Sequence, residues 1–257
     1  MKKKIIIPTT LGLVVASGFV FFANAGKSEE VNQQNATSKS IVKVENKKFN
    51  IAKTTSATPN TTDNIETIST TSDFSIIYKS IDELVQNSDV IVEGVVMSTE
   101  SINYTPNGTD VGTVLTKAKV KVTKSFNDTV KKDDIITFIE PGGMTTKKVL
   151  GLDKKMKLTE AELNEKVQVL SNGVPNLKSN DKVLLFGAAP KLDKGDVNVV
   201  PETHYWVLGA HQGKFKITDT SNGTQVERTV PESMVDLPSL KSKIEDVEAD
   251  IISKLKK

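Results

Sequence analysis

The sequence predicts a mainly β protein: a small antiparallel barrel of the OB-like type, or an open sandwich, with one short N-terminal helix and a C-terminal amphipathic helix. Short alternating or continuously apolar runs recur between residues 89 and 230, and turn-forming residues separate them. Gly94 interrupts the first run, as expected of a strand that bends at a barrel corner. The chain contains no cysteine, so its core must form without disulfides.

The first 25 residues have the three parts of a secretory signal peptide. Three lysines precede an apolar run at residues 5–22, and Ala23 and Ala25 occupy the two positions that signal peptidase recognises. The run is close to the length of a membrane-spanning helix, so an uncleaved anchor formed by residues 5–22 is the alternative. The sequence therefore predicts a protein that is secreted or held at the extracellular surface.

Residues 26–72 are predicted to be a disordered linker. This segment is poor in apolar side chains and rich in Ser, Thr, Asn, Gln and Lys. Such a composition buries too little surface to offset the entropy that is lost on ordering. We therefore expect one folded domain, which spans residues 73–257.

A short helix and a buried strand are expected to open this domain. Ser80 and Glu83 have the spacing of a capping box, which predicts a helix that ends near Ser88. The apolar residues that follow, 89–97, predict a mostly buried strand, with Gly94 at a bend or bulge.

The middle of the domain is predicted to consist of further strands. Residues 114–124 carry lysines at odd positions and small or apolar side chains at most even positions, which predicts a strand with one solvent-exposed face. Residues 158–165 form either a helix with Thr159 as its N-cap or a loop. The other predicted strands are 134–140, which ends at the turn 141–143, then 182–188, 205–208, 214–218 and 225–230, the last two joined by a hairpin at Asn222-Gly223. This gives six or seven antiparallel strands.

The C-terminal segment, residues 239–256, is predicted to be an amphipathic helix. Its apolar side chains recur at steps of three and four residues. The polar face mixes Lys, Glu and Asp, whereas a helix that binds membranes would be mostly basic there. We expect the apolar face to dock on the β domain.

Several of these segments together resemble a group of exported Bacillus-type proteins of uncharacterised function. The segments are Glu83–Val85, Ser88–Val96, Val120–Lys124, Gly142-Gly143, Leu184–Phe186 and Gly213–Ile217. The resemblance covers approximately residues 75–230 and implies export from a Gram-positive bacterium and a β domain. It implies no activity and no site residues.

The charge pattern argues against a nucleic-acid partner. Without Lys2, Lys3 and Lys4 the 34 basic residues become 31, against 32 acidic ones, so the mature chain is close to neutral. Arg228 is its single arginine, and arginine is the side chain best suited to bidentate capture of phosphate. We expect a cell-wall, matrix or protein partner, and no membrane contact beyond an uncleaved anchor.

Four residues near position 206 are the candidates for a contact site. Tyr205 and Trp206 offer an aromatic platform, and His204 and His211 flank them. The two histidines are not expected to share a metal ion, because a continuous strand points them to opposite faces and a hairpin separates them by roughly 13 Å, at about 3.3 Å per residue. Half-exposed side chains without a metal are the expected arrangement.

No catalytic motif supports an enzyme. The chain has no G-x-S-x-G, H-E-x-x-H or P-loop pattern, and we expect no metal and no cofactor. A non-catalytic binding module is therefore the leading hypothesis. A secreted hydrolase is the alternative, with catalytic carboxylates drawn from Glu93, Glu140, Glu160, Glu162 and Glu202. A third option is an inhibitor that presents the loop at residues 101–112.

Overall fold

The computed structural model describes residues 11–15, 19–23, 65–71, 74, 76–105, 109, 111–191, 199–231, 234 and 236–256. Within the predicted signal segment, β1 (Leu11–Val15) and β2 (Phe19–Ala23) pair as antiparallel strands. Ala23 is the last residue of β2, whereas Ala25 and residues 26–64 of the predicted linker lie outside the described residues. None of the helices in the described part of the chain has the length and apolar character needed to cross a bilayer.

The main body is mainly β, as predicted. Its elements are β3 (Glu66–Thr70), α1 (Ile81–Gln86), β4 (Val90–Tyr104), β5 (Thr113–Ser125), β6 (Ile135–Thr146), α2 (Glu160–Leu163), β7 (Lys166–Ser171), β8 (Lys182–Ala188), β9 (His204–Val207), β10 (Lys214–Thr220), β11 (Gly223–Arg228), β12 (Ser242–Lys243) and α3 (Ile244–Leu255). The ten strands from β3 to β12 form one sheet, in which β3–β7 and β6–β9 are parallel pairs. The prediction of six or seven strictly antiparallel strands was therefore wrong.

Five of these strands form a closed circuit of pairings. β8, β4, β5 and β6 are successive antiparallel neighbours. β9 closes the circuit because it pairs with β6 in parallel and with β8 in antiparallel fashion. Alternate side chains of these strands pack into one apolar cluster, which includes Val92, Val96, Val120, Phe138, Leu185 and Val207. This cluster is the core on which the strands of the circuit depend.

Gly94 marks a bulge in β4, as the sequence predicted. The register between β4 and β5 shifts between Glu93 and Gly94. A Cβ atom at residue 94 would lie 2.5 Å from Val120 Cγ1 and 2.7 Å from the Lys121 carbonyl oxygen. Only glycine allows the two strands to approach so closely at this point.

Both terminal helices pack on the sheet. Ser80 caps α1, with the Glu83 amide donating to Ser80 Oγ at 3.2 Å, so the predicted capping box is confirmed. The buried faces of α1 and α3 share a second apolar cluster with β4, β8, β10 and β11. α3 begins at Ile244 rather than at residue 239, because Leu240 has a positive φ of 49° and the next residues pair as β12.

Several other boundaries differ from the predictions, and some of these differences change the topology or the extent of the domain. β6 continues through Pro141-Gly142-Gly143, because the positive φ values of the two glycines bend it from β5 onto β7 instead of ending it. β7 was not predicted. β3 lies inside the predicted linker, so the folded part of the chain begins before residue 73. The predicted helix at 158–165 shortens to α2, where Thr159 and Glu162 form a capping box.

Candidate functional site

The outer surface of β4, β5, β6 and β9 carries an ordered array of side chains, which we call the lysine face. It is centred on Lys117, Lys119 and Lys121 of β5, which alternate with buried residues as predicted. Directly opposed residues of neighbouring strands project to the same side of a sheet. The cross-strand neighbours on the face are Val95, Ser98 and Glu100 of β4, Ile135, Thr137 and Ile139 of β6, and His204 and Trp206 of β9.

One half of the lysine face is covered by the chain itself. Trp206 packs with Leu115 and Ile139 under Val200, and only 7% of its surface is exposed. His204 is 2% exposed, and its Nδ1 lies 3.0 Å from the Glu202 carbonyl oxygen. The expectation of half-exposed histidines was therefore wrong. In this conformation His204 and Trp206 support the face but do not offer a contact surface.

The other half of the face is open to solvent. Lys119 and Lys121 are exposed there, and Ile135, opposite Lys121, is 62% exposed. Met97, at a register shift in β4, is 52% exposed. Large apolar side chains beside exposed ammonium groups are typical of a surface that contacts a partner with both apolar and acidic groups.

Acidic residues already balance part of this charge. Lys117 Nζ lies 2.7 Å from Glu100 and 3.5 Å from Glu202, and Lys121 Nζ lies 3.0 Å from Asp133. Lys121 and Asp133 are both largely exposed, and exposed pairs of this kind contribute little to stability. An acidic group of a partner could therefore replace the Asp133 carboxylate at small cost.

The remaining two contact candidates lie elsewhere. Tyr205 projects to the side of the strand opposite Trp206, and its ring centre is 6.0 Å from that of Phe138 in the core of the circuit. Burial, and then the Asp89 carboxylate, raise the pKa of the Tyr205 phenol. His211 is buried in the turn between β9 and β10, against the ring of Phe74. The structure therefore brings His204 and Trp206 together but places Tyr205 and His211 in separate surroundings.

The five predicted carboxylates have five different sets of neighbours. Glu140 is buried between Lys214 Nζ and the Leu177 amide, both at 2.5 Å. Glu93 contacts Glu248, and Glu160 contacts Lys148. Glu162 contacts Thr159, and Glu202 contacts Lys117. The described residues contain no group of three or more histidines and carboxylates that could hold a metal ion.

Glu93 forms a carboxyl pair that the sequence did not indicate. Its partner is Glu248 of α3, and Lys124 of β5 lies 2.6 Å from Glu248. Burial, and then the hydrogen bond and charge of Glu248, raise the pKa of Glu93 to about 7. Burial alone would raise the pKa of Glu248 too, but hydrogen bonds with Glu93 and Lys124 lower it. The pair thus shares a proton at mildly acidic pH, where α3 meets the sheet.

Known proteins supply no further evidence about this site. Comparisons with protein-family models, with curated proteins and with solved structures find no match for this chain.

Proposed function

We propose that this protein is an exported, non-catalytic binding module that engages a cell-wall, matrix or protein partner through the open half of the lysine face. The observation that carries the proposal is the placement of exposed Lys119 and Lys121 beside exposed Ile135 on regular, well-packed strands. A rigid scaffold keeps these side chains in place before binding, so little conformational entropy is lost on association.

The same proposal includes an OB-like barrel as the architecture. The closed circuit β4–β5–β6–β9–β8, its bulged first strand and its parallel closing pair support it. OB-fold proteins bind their ligands on the face of their second and third strands. Here the second and third strands of the circuit are β5 and β6, which carry Lys119, Lys121 and Ile135.

Both components of the open face contribute to the expected interaction. The ammonium groups attract an acidic partner over a distance and set its orientation. Burying Ile135 beneath that partner would contribute about 1–2 kcal/mol. The near-neutral charge of the rest of the mature chain favours local recognition over general adsorption to polyanions.

Charge reversal on the face tests this site. Purified protein is sedimented with intact Gram-positive cell walls that retain their native polymers and surface proteins. We expect the double variant Lys119→Glu, Lys121→Glu to lose at least tenfold in the bound fraction, and Ile135→Ser to lose less. The matched control reverses Lys178 and Lys216, which are also exposed but lie off the face. Equal binding by the wild type and both double variants would refute the site.

Export is tested separately by fractionating a native culture and determining the N-terminus of the protein by mass spectrometry. We expect a mature chain that begins after Ala25, in the medium or at the cell surface. An N-terminus at Met1 in the membrane fraction would instead support the anchor formed by residues 5–22. Chemical crosslinking of the same sample would identify the partner.

The alternative function, a hydrolase that uses acidic residues, draws on the raised pKa of Glu93. However, Glu93 and Glu248 hydrogen-bond to each other, whereas glycosidases hold their two carboxyl groups about 5 Å or more apart to accommodate the substrate. Lys124 also pairs with Glu248. We therefore assign this pair to the attachment of α3, and expect Glu93→Gln to leave cell-wall binding unchanged.

A further inference from the structure

Phe74 and residues 76–78 lie against the turn 208–213, where Ile76 and Tyr78 are held through their backbone; we call these residues the strap. The Tyr78 amide donates to Gln212 Oε1 at 2.8 Å, and Gln212 Nε2 donates to the Ile76 carbonyl oxygen at 3.1 Å. Gln212 is completely buried. One side-chain amide therefore satisfies both a donor and an acceptor of the strap, much as a neighbouring β-strand would.

Arg228 also holds the strap, through the Tyr78 carbonyl group. Its Nη1 donates to the carbonyl oxygens of Tyr78 at 2.9 Å and Gln212 at 3.1 Å. Its Nε and Nη2 donate to the Pro238 carbonyl oxygen at 3.1 and 2.7 Å. Each of these acceptors is a neutral carbonyl group, and burial lowers the pKa of Arg228 to about 10. The cation therefore remains charged in an environment of low polarity.

His211 lies beneath the strap. The ring centre of Phe74 is 5.4 Å from that of His211, in an edge-to-face arrangement. The imidazole is 2% exposed, and neither of its nitrogens has a hydrogen-bond partner among the described residues. A neutral imidazole tolerates such a position, whereas an imidazolium requires solvation or an acceptor.

The charges around His211 are unfavourable for protonation. The groups that act on it are Lys214 of β10 and Arg228 of β11, both cations. Two acidic groups act on these cations, since Glu140 of β6 pairs with Lys214 and the charge of Glu83 of α1 acts on Arg228. Burial, together with the two cations, lowers the pKa of His211 to about 3.

We propose that the strap is an acid-released closure, in which protonation of His211 detaches Phe74 and residues 76–78 from the turn 208–213. A proton on His211 is accepted at ordinary acidity only where water can reach the ring. Lifting Phe74 provides that access and breaks the hydrogen bonds to Gln212. The open state therefore binds a proton that the closed state rejects, and acid shifts the equilibrium toward opening.

Amide hydrogen exchange on the intact chain, followed by NMR, measures this opening directly. The Tyr78 amide reports on the strap, and the Leu185 amide in β8 reports on global unfolding. After correction for intrinsic exchange rates, we expect lower protection at Tyr78 than at Leu185. We also expect Tyr78 protection to fall by roughly tenfold per pH unit below pH 6.5, or roughly 100-fold at pH 4.5.

Two variants of His211 and one matched control identify the responsible group. His211→Phe and His211→Leu should abolish the acid-dependent loss of Tyr78 protection, and either variant suffices if the other folds poorly. The control, His204→Phe, alters the other buried histidine and should retain the loss. The proposal is overturned if Tyr78 and Leu185 are equally protected, or if Tyr78 shows the same pH dependence in a folded His211 variant and in the wild type.

Discussion

Replacing Glu93 by glutamine should stabilise the protein at neutral pH and have little effect on its stability near pH 4.5. The pKa of Glu93 is raised from 4.5 to about 7 in the folded protein. Between these two values the folded chain retains a proton that the unfolded chain has released. The contribution of Glu93 to the stability of the wild type therefore falls as pH rises through this window. Glutamine stays neutral at every pH and can still donate a hydrogen bond to Glu248, so the variant avoids this loss.

The structure limits the size of the effect. A shift from 4.5 to about 7 corresponds to an upper bound of roughly 3 kcal/mol, at about 1.4 kcal/mol per pH unit. Glu93 is only half-buried and lies near Lys124, so solvent screening reduces the expected gain to roughly 1–2 kcal/mol.

Urea unfolding monitored by the fluorescence of Trp206 provides the assay, at intervals between pH 4 and pH 8. Because the pKa of His211 is lowered in the folded state, its contribution to the free energy of unfolding rises with pH over part of this range, whereas that of Glu93 falls. The informative quantity is therefore the difference in unfolding free energy between Glu93→Gln and the wild type. Glu245→Gln, at an exposed position of α3, is the matched control and should show no such trend. A difference that stays constant between pH 4.5 and pH 8, or that favours the wild type at pH 8, would refute the shared proton.

Three further outcomes follow from the packing. Gly94→Ala should lower the free energy of unfolding by roughly 1–3 kcal/mol, because the new methyl group overlaps Val120 and the Lys121 carbonyl group. Urea unfolding should show a smaller cost of the same substitution in a Val120→Ala background, where one of the two overlaps is absent. Arg228→Lys should lower the free energy of unfolding by roughly 1–3 kcal/mol, because one ammonium group cannot reach all three carbonyl groups that the guanidinium binds. Thermal unfolding measures this loss, and an unchanged Tm would contradict it. The fluorescence of Trp206 in the native protein should resist quenching by iodide, and strong quenching would show that the lysine face is not covered around this residue.

Local sequence signals predicted the parts of the fold that depend on neighbouring residues. The capping box at Ser80 is present, Thr159 is the N-cap of α2, and β8 has the predicted bounds Lys182–Ala188. The alternation of lysines in β5 also identified its solvent-exposed side. In each case the necessary information lies within a few residues of the element.

Features that depend on distant contacts were not predictable in this way. β3 has the composition of the linker before it and becomes a strand because it pairs with β7, roughly a hundred residues later in the chain. The burial of Trp206 depends on the segment that contains Val199 and Val200, which packs against it. A carboxyl pair between Glu93 and Glu248 becomes visible only once α3 is placed on the sheet.

The two ends of the large sheet are short. One is β3, with five residues, and the other is β12, with two. The unpaired amide and carbonyl groups along an edge strand can pair with a strand of another chain. Two edge strands as short as β3 and β12 offer few such groups. In the proposed extracellular setting, the two short edge strands would limit the addition of strands from neighbouring copies, while the open half of the lysine face would stay accessible.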